Sequence, residues 1–202
     1  MKKSRAKFKG TVSASIATNK THKIPTPHFI FDVECRNADG QLKWEETHLH
    51  NRVTNQGLTC LLEWITGDAA GVPTAAYVVL NKANQTPAAA WSYTTNGDAS
   101  NWDEYTEYSQ STRPAWTHGS ISSNSVDNSA SKASFSCTST VTVYGAGIVF
   151  STSNHANISV KDDEAATNGK LYSFVNFTSA KTVDNGDTLS ITVTLTTADD
   201  GV

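Results

Sequence analysis

The sequence predicts a mainly β protein, an antiparallel two-sheet β-sandwich of the Ig-like or jelly-roll-like kind. Three observations support this: a period-two pattern in the last segment, other short alternating segments, and turn residues between them. In the last segment, 188–197, the aliphatic residues that alternate with Ser and Thr are Leu189, Ile191, Val193 and Leu195. Because successive side chains of a strand point to opposite faces, one face is aliphatic and the other carries hydroxyls.

The first half of the chain predicts a β-hairpin and a short strand. Phe29, Phe31, Val33 and Cys35 alternate with Ile30, Asp32, Glu34 and Arg36, and a second alternating segment follows after 37–40 (NADG). Gly40 permits a positive φ, which suits the turn of a hairpin. Residues 76–82 (AYVVLNK) form a further short apolar strand, and 83–104 is a long stretch without a clear period.

The second half is predicted to be nearly all β, with strands near 117–126, 131–140, 141–151, 156–160, 170–178 and 187–197. Within 170–178, Leu171 and Val175 are expected on one face and Tyr172 and Phe174 on the other. Turns are expected at Gly145 and Gly147, at 168–169 (NG), and at 184–187 (DNGD), the last as a hairpin turn before the final strand. Short strands at this spacing are typical of a sandwich or jelly roll.

One amphipathic helix is predicted at about 55–66. Thr54 or Asn55 can cap its start, and Gly67 is the natural end. An apolar stripe at i, i+3, i+4 and i+7 is expected to lie on a sheet; it consists of Leu58, Leu61, Leu62 and Ile65. A second, single helical turn is expected from Asn101 through Tyr108, with Asn101 and Glu104 as a capping box.

The charge distribution divides the chain into a basic arm and linker, 1–28, and a single sandwich domain, 29–202. Residues 1–31 contain no Asp or Glu and seven cations, namely Lys2, Lys3, Arg5, Lys7, Lys9, Lys20 and Lys23. The other 171 residues carry nine basic and nineteen acidic side chains. The first five cations are therefore candidate partner-binding residues, if the arm is more than a solvated tail. An acidic protein surface, such as a neighbouring copy, suits the arm better than nucleic acid, because five cations make a small phosphate footprint.

Aromatic residues in and after the long irregular stretch form a second candidate partner surface. Tyr and Trp are enriched at interfaces and at sugar-stacking sites. The residues concerned are Trp91, Tyr93, Trp102 and Tyr105, whereas Tyr108 and Trp116 are expected in the core. For Trp91, partner contact and core packing are equally favoured.

The sequence predicts no enzyme, no metal site and no cofactor. It contains no G-x-S-x-G, P-loop, H-E-x-x-H or nucleotide-binding glycine motif. Asp103, Glu104 and Glu107 lie too close in sequence to imply separated acid and base roles. His48 with His50, and the acidic run 162–164, lack the further ligands that a metal site needs. No apolar run is long enough for a membrane helix, and the basic start lacks the apolar segment of a signal peptide, which predicts synthesis in the cytoplasm.

Three cysteines, Cys35, Cys60 and Cys137, are an odd number without a CxxC pair. This favours buried, reduced thiols, although one disulfide between two of them stays open.

Several structural motifs resemble a group of small tailed-bacteriophage virion proteins. The similar segments are DGQLKW (39–44), NQGL (55–58) before LL (61–62), YS (108–109) before TRPAW (112–116), SVDNSASKA (125–133) and NGDTL (185–189). The similarity spans roughly residues 29–197 and leaves the basic arm outside. It implies a virion structural protein made in the host bacterial cytoplasm: a capsid decoration or cement protein, or a tail, neck or fibre-attachment component. Its implied partners are capsid or tail subunits and further copies of itself, for example in a trimer.

Two other classes of function stay open from sequence. A carbohydrate-binding, adhesin-like module would use the aromatic residues near 91–116. A DNA contact through the arm would give binding that weakens with salt.

Overall fold

The structure is a computed structural model that describes residues 27–68, 72–98, 100–152, 158–161 and 169–197. These residues form a mainly β protein with two antiparallel sheets, consistent with a β-sandwich, and one α-helix. The five-stranded sheet contains β1 (His28–Arg36), β2 (Leu42–His50), β5 (Ser125–Asp127), β6 (Ala133–Ser136) and β9 (Thr188–Thr196). The four-stranded sheet contains β3 (Arg52–Val53), β4 (Pro73–Asn81), β7 (Val141–Thr152) and β8 (Lys170–Val183), and the helix α1 spans Asn55–Thr66.

The five-stranded sheet is built around β9. Its order is β2-β1-β9, and both β5 and β6 pair with the other edge of β9. Phe31 of β1 lies opposite Val193 of β9, and Val33 of β1 lies opposite Ile191 of β9. All four are buried, so the predicted alternation of both strands is confirmed. The β1–β2 hairpin turn is also confirmed, with Gly40 at φ 78°.

The four-stranded sheet, in the order β3-β8-β7-β4, is covered on both faces. One face joins the central core between the sheets, as Leu80 and Ile148 show. The other face contributes Val79, Val149 and Phe174 to a second cluster that is closed by side chains from the irregular stretch after β4. Two-sided burial explains why β4 and β7 contain continuous apolar runs and not a clean alternation.

A β-bulge in β8 changes the predicted facing of its side chains. Ile148 of β7 pairs with Ser173 and Val149 pairs with Leu171, which leaves Tyr172 as the extra residue. Leu171 consequently belongs to the second cluster and Tyr172 to the central core. The prediction that Leu171 and Val175 share a face is therefore wrong, because one inserted residue reverses the parity of a strand.

The glycines of β7 lie in the strand and not in turns, contrary to prediction. A Cβ on Gly145 would lie 2.1 Å from the carbonyl oxygen of Val175, and one on Gly147 would lie 2.6 Å from the Phe174 ring. Glycine is required there because β8 passes too close for a side chain. The turn at 184–187 does exist, but it carries the chain from β8 to β9, which lie in different sheets, so it is not a hairpin turn.

Three other local predictions also differ from the structure. Of the predicted strand 117–126, only its end, from Ser125, is in β5, and Val160 makes only an isolated bridge to Thr112. Residues 153–157 and 162–168 lie outside the described residues. No helical turn follows Asn101; instead the Glu104 amide donates to Oδ1 of Asn96 at 2.9 Å. The Asn96 side chain thus takes the place that the predicted cap at Asn101 would have had.

Candidate interaction surface

Helix α1 is fixed to the four-stranded sheet at its first turn. Thr54 caps the helix as predicted: its Oγ1 accepts from the Gly57 amide at 3.0 Å and donates to the Leu171 carbonyl at 2.6 Å. Oε1 of Gln56 accepts from the amides of Tyr93 and Leu171, at 2.9 and 2.7 Å. The helix ends at Gly67, with φ 76°, also as predicted. These bonds set the rotation of α1 on the sheet.

The face of α1 that meets the sheet is made of small residues. Gly57 and Cys60 are its two buried positions, and a Cβ at Gly57 would lie only 2.3 Å from the Tyr172 carbonyl oxygen. The predicted contact stripe is therefore wrong. The apolar side chains that point into solvent, called here the α1 face, are Leu58 (39% exposed), Leu62 (63%) and Ile65 (71%). The backbone approaches the sheet on the small-residue side, so the large side chains are left outside.

An apolar groove adjoins α1 and is lined by residues of both sheets, such as Leu195 of β9 and Phe150 of β7. Its first part has a volume of about 280 Å³ and continues into a second part of about 570 Å³. The two parts together are called here the α1 groove. The residues that line both parts are Trp64, Pro73, Ile121, Val126, Phe150 and Leu195. Trp64 is 55% exposed and Ile121 is 75% exposed. The groove and the α1 face together make the main uncovered apolar surface among the described residues.

Sequence reasoning did not find this surface. The signal that could have found it is the pair Gly57 and Cys60, three residues apart on the side of the helix away from Leu58 and Leu62. Small residues at that spacing allow close approach of two backbones, whereas large aliphatic residues at i, i+3 and i+4 only show that some face is apolar. Cys60 is buried there, and burial raises the pKa of its thiol to about 11.

The four aromatic residues predicted to contact a partner lie inside the protein. Trp91 is 2% exposed, and Tyr93, Trp102 and Tyr105 are fully buried. Trp91 and Trp102 both pack on the Phe174 ring, with centroids 5.4 and 5.1 Å away. We therefore correct the expectation for these residues: Trp91, Tyr93 and Trp102 close the outer face of the four-stranded sheet, and Tyr105 lies in the central core. A sugar-stacking surface needs exposed ring faces, which these four residues do not offer. The core positions expected for Tyr108 and Trp116 are confirmed.

A buried ion pair holds the same irregular stretch in place. Nε and Nη2 of Arg113 donate to the two carboxylate oxygens of Glu104 at 2.8 and 2.5 Å. Nη1 donates to the Tyr93 hydroxyl at 2.6 Å and to the Ile158 carbonyl at 2.8 Å. Burial alone would lower the pKa of Arg113, but the hydrogen bonds and charge of Glu104 raise it above its ordinary value. Each contact is satisfied within the chain, so the arrangement is structural.

The acidic residues near Trp102 are each engaged by a cation. Glu104 is bound by Arg113, while Asp103 and Glu107 lie 3.7 and 3.6 Å from Nζ of Lys82. Two of these carboxylates share one ammonium group and the third is inside the protein. The structure therefore does not place two of them on opposite sides of an open cleft.

The candidate metal ligands are not brought together in the described part of the chain. His48 and His50 are exposed, and His48 has a positive φ of 56° next to the irregular β1–β2 register. Within the described ranges, no three or more His, Cys, Asp or Glu side chains are placed so that they could hold a metal ion. The acidic run 162–164 lies outside them, as do the arm cations Lys2, Lys3, Arg5, Lys7 and Lys9.

All three cysteines are buried and form no disulfide, as favoured from sequence. Burial raises the pKa of Cys35 to about 12, and the nearby Asp187 carboxylate, 3.7 Å from Sγ, acts in the same direction.

Comparisons with known proteins gave no match: no protein-family model, curated protein or solved structure is significantly similar to this chain. Among the described residues, no helix is long and apolar enough to cross a membrane.

Proposed function

We propose that this protein is a non-enzymatic structural protein of a bacteriophage virion, most simply a capsid decoration or cement protein that binds neighbouring virion subunits. A tail, neck or fibre-attachment component is the alternative location. The motif resemblance to tailed-phage virion proteins motivates the proposal, and the α1 face is the observation that supports it.

The α1 face has the properties of an assembly contact. Leu62 and Ile65 are 63% and 71% exposed. Leu58, Leu62 and Ile65 follow one another at intervals of about one helical turn, so they lie on the same side of α1. Isolated exposed aliphatic residues are common on protein surfaces, but a contiguous patch rimmed by polar residues marks an interaction site. An amphipathic helix that presents i, i+4 and i+7 anchors can pack into a groove or onto a second helix.

The partners in this proposal are capsid or tail subunits together with further copies of the same chain, for example in a trimer. The basic arm is a second contact element, because its cations complement the acidic body of a neighbour. The Ig-like or jelly-roll-like type of the sandwich is part of the same proposal. Two connections support it, because the chain crosses from one sheet to the other between β2 and β3 and again between β8 and β9.

The experiment is a protein inventory of purified phage particles by mass spectrometry, followed by a cryo-EM map of the particle. We expect this polypeptide in intact particles and a density in which α1 contacts a neighbouring subunit. The head or tail position in the map distinguishes the two locations. Particles that lack the polypeptide would end the proposal.

A substitution pair separates the α1 face from general surface effects. Leu62→Lys together with Ile65→Lys is expected to abolish incorporation into particles. Leu42→Lys changes a leucine of β2 that is also exposed, at 49%, and is the matched control that should be incorporated normally. Equal incorporation of both variants would show that the α1 face is not the contact.

A further inference from the structure

The chain enters the described fold at the rim of the α1 groove. Pro27, the first described residue, lines the groove together with Phe29. The Pro27 carbonyl accepts a hydrogen bond from the Tyr172 hydroxyl at 3.0 Å, and Tyr172 lines the groove as well. The 26 residues that precede Pro27 are therefore attached at the rim of this groove.

The attached segment contains a short stretch that matches an apolar groove. Residues 11–18 (TVSASIAT) carry no charge, although cations lie on both sides of them. In an extended peptide, Val12, Ala14 and Ile16 point to one side, and the Thr and Ser residues between them point to the other. One side of the stretch is thus aliphatic and the other can face water.

The length of the chain permits this contact. Ten residues, 17–26, separate Ile16 from Pro27, and the eleven Cα–Cα steps between them correspond to a reach of up to about 36 Å in extended form. The whole of α1, with twelve residues, is about 18 Å long. The stretch can therefore lie anywhere along the groove without strain in the connection.

We infer that the α1 groove is the binding site for residues 12–16 of the same chain, with Val12 and Ile16 against Trp64, Ile121 and Leu195. Attachment at the rim gives this segment an effective concentration in the millimolar range, which an untethered partner does not have. The wall of the groove is apolar, so it selects the uncharged stretch and leaves the cations at 2–9 free for other contacts. The α1 face lies outside the groove, so this inference does not depend on the virion role.

Site-specific photo-cross-linking in the full-length protein tests the contact. A benzophenone amino acid at position 16 is expected to cross-link to Trp64, Ile121 or Leu195, as mapped by mass spectrometry. The same probe at position 15, on the opposite side of an extended peptide, is the matched control and should lose these cross-links. Absence of groove cross-links from position 16, or equal yields from both positions, would overturn the inference.

A mixture of isotope-labelled and unlabelled copies identifies the occupant. Cross-links within one copy are expected. Cross-links between copies would show that a neighbour's segment fills the groove and would refute the same-chain assignment. Cross-links between the α1 helices of two copies, with none from position 16, would show that a second copy covers the groove.

Hydroxyl-radical footprinting gives a second readout on the intact chain. Val12→Asp with Ile16→Asp should raise the oxidation rate of Trp64 several-fold, while Leu62, outside the groove, keeps its rate. Ser13→Asp with Ser15→Asp adds the same charge to the other side of the segment and should change neither. Equal Trp64 oxidation in both double variants would contradict the inference, and circular dichroism confirms that each variant is folded.

Discussion

Arg113 and Glu104 form a two-point ion pair in the protein interior, with both side chains fully buried and nitrogen–oxygen distances of 2.8 and 2.5 Å. The pair connects Glu104, at the end of the irregular stretch 83–104, to Arg113 in the segment that follows it. Nη1 of the same guanidinium donates to the Tyr93 hydroxyl and to the Ile158 carbonyl.

We predict that Glu104→Gln destabilises the protein by about 3–5 kcal/mol, because it leaves a buried guanidinium without its counter-charge. Urea denaturation followed by tryptophan fluorescence measures the change. Asp103→Asn alters the neighbouring carboxylate, which is one-third exposed and 3.7 Å from Lys82, and should cost less than about 1 kcal/mol. Similar losses in both variants would contradict a structural role for the buried pair.

Gly57→Ala should destabilise the protein by about 1–3 kcal/mol, although alanine favours helices, because the new methyl group overlaps the Tyr172 carbonyl. An ideal Cβ there would lie 2.3 Å from that oxygen. At Gly119 the nearest atom would be 3.7 Å away, so Gly119→Ala is the control and should be nearly neutral. Thermal denaturation compares the two, and a stabilised Gly57→Ala variant would show that α1 sits further from the sheet.

The orientation of α1 predicts opposite effects for two substitutions in one helix. Leu62→Lys should change stability by less than about 0.5 kcal/mol, because the side chain is exposed. Cys60→Lys should be strongly destabilising, since Cys60 is only 1% exposed and a long charged side chain there would be taken out of water. Chemical denaturation of both variants checks this. The reverse order would mean that the aliphatic stripe lies on the sheet after all.

Glu46 predicts a specific loss of stability in acid. Burial would raise the pKa of this carboxyl group, but hydrogen bonds from Lys181 and Thr178, at 2.7 and 2.5 Å, outweigh it and lower the pKa below the ordinary value of 4.5. Its stabilising contribution is therefore complete above about pH 4.5 and is lost as the pH falls through the lower folded-state pKa.

The test is the free energy of unfolding of Glu46→Gln between pH 7 and pH 3. The variant should be less stable than the parent protein at pH 7, and the difference should shrink in acid. Glu45→Gln, one residue away and exposed, should track the parent at each pH. A difference for Glu46→Gln that does not depend on pH would refute this assignment.

The three cysteines should be protected from thiol reagents while the protein is folded. Burial raises the pKa of Cys35 to about 12 and that of Cys60 to about 11, so few thiolates exist at pH 8. Titration with a chromogenic disulfide reagent should detect no rapidly reacting thiol in buffer and three in denaturant. Fewer than three in denaturant would indicate an oxidised pair.

Much of the fold was predictable because it depends on local patterns. The alternation in β1 and β9, the turn before Gly40, the cap at Thr54 and the end at Gly67 each follow from residues close in sequence. The interaction surface was not predictable in the same way. The stripe of Leu58 and Ile65 shows an apolar helical face, but it cannot show whether that face meets the sheet.

The sequence by itself determined that the chain forms short strands with an aliphatic and a hydroxyl-bearing face, one capped helix, and a basic segment before an acidic body. Tertiary structure alone decided which apolar residues are covered. Gly57 brings the α1 backbone against Tyr172 and turns the large side chains outward, while Arg113 binds Glu104 in the interior and Trp91 and Trp102 pack on Phe174. These outcomes depend on contacts between residues distant in sequence, whose free energies exceed the local preferences that a pattern records.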